Sequence, residues 1–362
     1  VTAKPSTIVV HDYFGIRGGG ERLALTMAEG LSATLMYGFR SPQSYEAAMF
    51  PPGAIDLSLP EMMRKPGLRA AALASRFALS KPRLLPYKTR VFSGVAAPFA
   101  AEAGSSARNI YYCHTPPRFL YDQREHFSPM VAGNPLRQFA LGQFRRGYEA
   151  AVGRMDLIVA NSETVRERIW RYLGREAVVV YPPCDLEAYR WQGQQGFYLS
   201  TARHSPLKRV DKIVEAFLSM PEKQLIVASG GEDHDALRRL AADAPNITFV
   251  GWLGEAELQR LIGEAVATIY VPIEEDFGMS PVESMAAGKP VIGVAEGGLR
   301  ETILNGVTGI LLSPEFTAGD LAEAVRELPA SRAASMRNAC EQRAGLFSQA
   351  RFLDAIRQLV DR

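Results

Sequence analysis

The strongest constraint on this chain is a rhythm that runs its whole length. Short apolar runs rich in Val and Ile alternate with segments long enough to form helices. Strands that are apolar on both faces belong to parallel sheets, because βαβ crossovers cover both sides with helices. The pattern predicts strands at Thr7 to Val10, Ala33 to Tyr37, Arg90 to Ser93, Asn109 to Cys113, Leu157 to Ala160 and Ala177 to Val180. A second set follows at Phe197 to Ser200, Gln224 to Ala228, Ile247 to Val250, Ala267 to Val271, Val291 to Val294 and Gly309 to Leu312. Between the sets, Tyr181-Pro182-Pro183-Cys184-Asp185 carries two prolines that stop a strand and remove ladder donors. The expectation is an α/β protein with two doubly wound domains, residues 1–185 and 186–345. A last helix, Gln349 to Val360, has Phe352, Ile356 and Leu359 on one stripe and could pack on either domain. At 362 residues, 47% of them hydrophobic, the chain can fill two cores.

The near-neutral balance hides an asymmetry. Residues 1–185 hold 23 Lys and Arg against 15 Asp and Glu, net +8, whereas residues 186–362 hold 18 against 24, net −6. From Met62 to Ala101 there is no acid, while Arg64, Lys65, Arg69, Arg76, Lys81, Arg83, Lys88 and Arg90 are interleaved with Leu68, Leu73, Phe77, Leu79, Leu84, Leu85 and Tyr87. A stretch of this kind (62–90) suits either a solvated helix-loop-helix or the surface of an anionic membrane. Nucleic acid is not an expected partner, because the whole chain is near neutral and shows no recognised nucleic-acid motif. Cys113, Cys184 and Cys340 are odd in number and scattered, which suggests neither a disulfide framework nor a zinc site. With no long apolar run and no signal-peptide pattern ahead of Ser6-Thr7-Ile8-Val9-Val10, a cytoplasmic location is expected.

The segment most suggestive of chemistry is 274–290. Glu274-Glu275-Asp276 crowds three acids at the end of an apolar strand, where open α/β sheets bind ligands. Phe277, Gly278 and Met279 then lead into a helix expected to begin near Ser280, with Ser280 as N-cap, Pro281 in the first turn and Glu283 closing a capping box. Glu283 can be read as that cap or as an acceptor for ligand hydroxyls. Free amides at such a helix start suit phosphate.

Other candidates lie in loops after strands. Gly18-Gly19-Gly20-Glu21 opens a helix and permits close approach to the backbone, although a plain flexible turn would look the same. Arg203-His204-Ser205-Pro206-Leu207-Lys208 sets two cations where a diphosphate could be held, or where both are merely solvated. His114 ends a strand ahead of Thr115-Pro116-Pro117-Arg118, a position open to structural or catalytic use. Asp233-His234-Asp235 follows Gly230-Gly231 and reads as an N-cap with first-turn charge rather than as a metal site.

Taken in order, these elements resemble the retaining GT-B glycosyltransferases, the large family with two glutamates eight residues apart, here Glu275 and Glu283. The segment Glu275 to Val291 carries the resemblance most specifically, joined by Arg203 with Lys208, the triple glycine 18–20, Ala160-Asn161-Ser162 and Tyr181-Pro182-Pro183. The branch most similar is that of bacterial mannosyltransferases of O-antigen and exopolysaccharide assembly, through Cys113-His114-Thr115-Pro116-Pro117-Arg118 and His11-Asp12-Tyr13 with Gly18-Gly19-Gly20-Glu21-Arg22. The resemblance implies two Rossmann-like domains facing a central cleft, with the C-terminal helix, 346–362, crossing back to the first. It implies that Arg203 and Lys208 hold the donor diphosphate, that Glu283 accepts from ribose hydroxyls, and that Glu275 faces the transferred sugar. Phe277, Gly278, Met279 and Ser280 would complete the donor contacts, Gly19 and Gly20 would border the phosphates, and His114 would act at the reacting face. Tyr13 and Arg118 would lie toward the acceptor. The chain departs from the family at Asp276 and Arg209, where glycine is usual.

The implied reaction is transfer of a hexose, mannose from GDP-mannose being favoured, to a saccharide or polyprenyl-linked saccharide, with no cofactor and no metal. Charge developing on the leaving diphosphate would be met by the fixed cations. A UDP-sugar donor, a nucleotide-sugar 2-epimerase and a non-catalytic nucleotide-sugar-binding protein are the alternatives.

Overall fold

A computed structural model describes residues 6–122 and 134–361. The chain divides into two compact units, Val1–Tyr181 with Leu353–Arg362, and Pro182–Phe352.

Among the described residues, the first unit has β1 (Thr7–His11), β2 (Thr34–Tyr37), β3 (Ile55–Asp56), β4 (Thr89–Ser93), β5 (Arg108–Cys113), β6 (Leu157–Ala160) and β7 (Val178–Val179). Its helices are α1 (Gly19–Gly30), α2 (Arg69–Leu79), α3 (Pro135–Val152) and α4 (Glu163–Leu173). The sheet order is β3-β2-β1-β4-β5-β6-β7, and every pairing is parallel. The order reverses between β1 and β4. Such a switch point opens a crevice beyond the carboxyl ends of the strands, here at His11 and Ser93, which are direct register partners. Ile8, Val10, Phe92, Tyr111 and Ile158 from four strands pack with Phe77 of α2 and Tyr148 of α3, all essentially inaccessible to water.

The second unit has β8 (Phe197–Ser200), β9 (Gln224–Ala228), β10 (Ile247–Gly251), β11 (Thr268–Ile269), β12 (Val291–Val294) and β13 (Gly309–Leu312) in the order β10-β9-β8-β11-β12-β13. Its helices are α5 (Val210–Leu218), α6 (His234–Ala241), α7 (Glu255–Glu264), α8 (Met279–Ala286), α9 (Leu299–Thr302), α10 (Ala318–Glu327), α11 (Ala330–Ser335) and α12 (Arg337–Gly345). All pairings are again parallel. The switch point lies between β8 and β11, so the loops leading to Lys208 and to Glu275 leave adjacent strands on the same edge. The last helix, α13 (Gln349–Val360), carries residues of both units. Leu353 packs against Gly30, and the Arg357 guanidinium donates to the Gly30 carbonyl at 3.0 and 3.2 Å.

Each of the twelve strands expected from sequence is present, some shortened, and β3 is an addition. Two local expectations are corrected. Helix α8 starts at Met279, with Gly278 as N-cap at φ 90° and no side-chain cap. Ser280 therefore sits inside the first turn, and no capping box joins it to Glu283. Asp233 occupies the N-cap position of α6 but its side chain caps nothing.

The basic stretch is also less uniform than its sequence. Arg64 donates to the Leu59 carbonyl and stacks over Phe39, Arg76 donates to the Leu57 carbonyl, Arg69 covers the Tyr13 ring, and Arg90 is buried. Leu73, Phe77 and Leu84 are core residues. What remains in water is an apolar set, Leu68 (60% exposed), Leu79 (78%) and Leu85 (64%) with Met62 and Met63, beside Lys65, Arg83 and Lys88. Leu68 is the N-cap residue of α2 and lies eleven residues, three helical turns, before Leu79, so the two fall on one side of the helix. No helix among the described residues is long and apolar enough to cross a membrane.

Candidate active site

The second unit brings Lys208 and Glu275 into contact. Lys208 ends a single 3₁₀ turn, Pro206–Lys208, after β8. Its ammonium binds Glu275 Oε2 and donates to the Tyr270 hydroxyl at 2.8 Å, which itself donates to Glu275 Oε2 at 2.8 Å. Burial, then the charge of Glu275, pushes the Tyr270 phenol well above its ordinary range, with Glu283 and Asp276 adding to the effect. Those four acidic and phenolic groups thus share one electrostatic neighbourhood. The Lys208 and Glu275 side chains are about a quarter and a fifth exposed, so a ligand can reach the pair.

Two glycines seat these loops. A Cβ on Gly231 would stand 2.2 Å from the His204 carbonyl oxygen, and one on Gly297 would stand 2.2 Å from that of Glu275. Gly298 N–H donates to the same Glu275 carbonyl at 2.8 Å. Within the first loop, His204 is fully buried and stacks on His234, ring centroids 5.1 Å apart. Burial, then the neighbouring His234, lowers its pKa. Arg203 beside it is exposed and has no hydrogen-bond or ion-pair partner among the described residues. Lys208 is engaged by Glu275, whereas the Arg203 guanidinium is open to solvent.

Arg209, one of the two departures noted in the sequence, is part of the scaffold. Its backbone lies in the left-handed region at φ 49°, ψ 38°. Its side chain donates to the carbonyls of Val271 (2.7 Å), Pro272 (2.9 Å) and Pro314 (3.2 Å), and to Glu296 Oε1 (2.9 Å). Glu296 Oε2 in turn accepts the Glu274 amide at 3.0 Å. The arginine thereby ties the turn after β8 to the loop that carries Glu275.

Phe277 and Gly278 are buried, while Met279, Ser280 and Glu283 are partly exposed on the first turns of α8. Phe277 meets the Phe347 ring edge to face at 5.3 Å, so its side chain anchors the loop. Asp276 is partly exposed, and its charge adds to the upward push on the Tyr270 phenol.

The first unit gathers a different set. Ser93 Oγ lies 2.8 Å from His114 Nε2 and 3.1 Å from His11 Nδ1. Burial holds His114 at about 4, and burial with the nearby His114 holds His11 at about 3. Both rings are therefore neutral near pH 7. Asp12 accepts the amides of Val95, Ala96 and Ala97 at 2.7 to 2.8 Å and fixes the turn after β4. Gly19 and Gly20 form the first turn of α1 as expected, and the Gly20 backbone borders His114, whose Cε1 would lie 3.6 Å from an added Cβ. Tyr13 stacks on Phe39 at 4.8 Å beneath Arg69. Arg118 is paired with Asp122 at 3.1 Å. These contacts give both side chains structural work.

Sequence reasoning missed Tyr270, Glu296, Ser93 and the seating role of Gly297. The signals were present in Glu296-Gly297-Gly298, a glycine pair after a strand, and in the polar residue that closes β4.

Residues 185–346 match the family described as Glycosyl transferases group 1. Similar curated proteins include the D-inositol 3-phosphate glycosyltransferase of Mycolicibacterium smegmatis, 27% identical over 58% of this chain and 54% of that protein. The alpha-1,3/1,6-mannosyltransferase ALG2 of Rhizomucor pusillus is 25% identical over 58% and 56%. The chain thus matches about half the length of these relatives. Among solved structures, Anabaena HepE in complex with UDP and glucose has a TM-score of 0.74 at 18% identity, covering 98% of this chain and 99% of that one. Sucrose-phosphate synthase from Thermosynechococcus elongatus has 0.77 at 17%, covering 98% of each. The fold is accordingly that of the GT-B glycosyltransferases, with two parallel-sheet Rossmann-like domains.

Proposed function

We propose that this protein is a retaining hexosyltransferase that moves a sugar from a nucleoside diphosphate to a hydroxyl of a saccharide or lipid-linked saccharide. The observation that carries the reading is the Lys208, Tyr270 and Glu275 contact at the switch point of the second unit, within the segment that matches the glycosyltransferase family. Arg203 receives the diphosphate, Lys208 neutralises charge on the leaving group, and Glu275 accepts from the sugar. These groups do this without a metal or other cofactor. The departing phosphate takes the acceptor proton in a front-face transfer. GDP-mannose is the favoured donor, supported by the mannosyltransferase motifs around His11 and His114 and by the likeness to a mannosyltransferase. A place in O-antigen or exopolysaccharide assembly follows from the same motifs. The acceptor side belongs to the first unit, whose exposed leucines and cations would rest on an anionic cytoplasmic membrane face.

The test is release of GDP or UDP from GDP-mannose and a panel of UDP-sugars, with and without saccharide acceptors and with a chelator present. Nucleotide release tied to a new glycosidic product, unaffected by chelator, supports the proposal. A new sugar isomer without acceptor would instead identify an epimerase, and donor binding without turnover a binding protein.

A further inference from the structure

His11, buried behind the first unit's switch point, takes no part in the transfer proposed above, yet it is wired to His114, which the family resemblance places at the reacting face. The register explains the line of contacts. His11 pairs with Ser93 across β1 and β4, and Ser93 pairs with Tyr112 on β5, two residues before His114, which follows the strand directly. The serine hydroxyl sits between the two rings, 3.1 Å from His11 Nδ1 and 2.8 Å from His114 Nε2.

One hydroxyl carries one proton. Ser93 is fully buried and these two nitrogens are its hydroxyl's only partners among the described residues, so the hydroxyl uses its proton only by donating to one nitrogen while accepting from the other. With both imidazoles neutral, each ring has a single N–H, so only two arrangements satisfy the line. In one, His11 Nδ1–H donates to Ser93, Ser93 donates to His114 Nε2, and His114 carries its proton on Nδ1. In the other, His114 Nε2–H donates to Ser93, Ser93 donates to His11 Nδ1, and His114 Nδ1 is bare. Of the two mixed arrangements, a pair of bare nitrogens leaves one of them facing a lone pair, and a pair of N–H groups fills both lone pairs of the hydroxyl but leaves its own buried proton without an acceptor. Nδ1 of His114 has no protein partner among the described residues and is not a buried orphan.

We propose that Ser93 couples the tautomers of His11 and His114, so that the free Nδ1 of His114 offers a bound hydroxyl either a donor or an acceptor according to the proton position on His11. Exchange of ring protons with water and rotation of the hydroxyl interconvert the two states, and neither ring becomes charged. Ser93 and His11 are positioning residues in this scheme. Its consequence for turnover rests on the transfer reading, but the coupling itself does not.

Two-bond proton–nitrogen correlation spectra of the full chain, with ¹⁵N-labelled histidine and near pH 7.5, read the tautomers directly. His11 and His114 are expected to be the same tautomer, both Nδ1–H or both Nε2–H, or to show the same averaged position. One ring of each kind overturns the coupling, whether or not any sugar is transferred. In an active enzyme, Ser93→Ala should lower kcat about tenfold with donor KM changed less than twofold, and Ser93→Thr should restore it. Unchanged kcat in Ser93→Ala would overturn the positioning role. Wild-type protein that transfers nothing while its rings match would sink the transfer reading and leave the coupling standing.

Discussion

Arg209 and Glu296 meet at 2.9 Å, and through that contact a residue held in a left-handed backbone conformation supports the loop of Glu275. A non-glycine residue at φ 49° is strained by about 1 to 2 kcal/mol. The strain persists because four acceptors fix the guanidinium.

Arg209→Ala keeps the strain and loses the anchors, whereas Arg209→Gly loses both. Hydrogen bonds from charged donors contribute about 1.5 to 3 kcal/mol each before solvent compensates the freed acceptors. The alanine variant is therefore expected to be less stable than wild type by about 2 kcal/mol or more. The glycine variant should recover about 1 kcal/mol of that. Urea unfolding of the three proteins measures both steps. Equal midpoints for Ala and Gly would mean that the strain relieved is no larger than the entropy that glycine adds to the unfolded chain.

Lys208 binds Glu275 directly and through Tyr270, so removing the lysine costs the site a cation and leaves a carboxylate unopposed. Lys208→Ala is expected to lower kcat by about 10² or more at saturating donor, the effect of losing one fixed transition-state donor. Tyr270→Phe keeps the ring and the ion pair and should cost far less, about tenfold. Steady-state kinetics separates the two variants. Wild-type turnover in Lys208→Ala would remove that residue from the mechanism.

Acid should destabilise the first unit through His11. Its folded pKa, about 3, lies below the ordinary 6.5 because burial disfavours the charged ring. Between those values the unfolded chain binds a proton that the folded chain does not, so stability falls as pH drops from about 6.5. Well below 6.5 the slope from this one group approaches about 1.4 kcal/mol per pH unit. The His11→Asn variant should lose that share of the slope when unfolding free energies at pH 7.5, 6 and 5 are compared. Identical slopes would mean that His11 titrates normally in the folded protein.

The fold was legible because doubly covered strands must be apolar on both faces, a property written into runs such as Thr7 to Val10 and Val291 to Val294. Strand β3 escaped notice because two residues, Ile55 and Asp56, make no pattern. The start of α8 was misplaced because Ser280 to Glu283 has the composition of a capping box, while the turn is in fact made by Gly278 at φ 90°. Lys208 and Glu275 could be named from their places after strands, but their union through Tyr270 could not. A tyrosine closing an apolar run reads as core until the neighbouring strand is known. Arg209 shows the same limit. Its meaning lies in Glu296 and three carbonyls far along the chain.

The exposed face of the first unit yields the last expectation. Arg64, Arg69 and Arg90 turn inward and Arg76, though exposed, is tied to the Leu57 carbonyl, which leaves Lys65, Arg83 and Lys88 as the exposed cations able to meet lipid, each worth about 1 kcal/mol near an anionic surface. Leu68 and Leu79 would supply the apolar contact, about 1.5 to 3 kcal/mol each if fully buried in the interface. Replacing both by serine should weaken binding to anionic vesicles by about 10² or more while leaving the fold intact, since neither side chain is in the core. Charge reversal at Arg83 and Lys88 should remove the salt dependence instead, because screening acts on the cations and not on the leucines. Co-sedimentation at low and high salt, with neutral vesicles as reference, distinguishes the two contributions. Equal recovery of wild type and the double serine variant with anionic vesicles would mean that the exposed leucines of α2 face water, and that the basic stretch is a solvated surface.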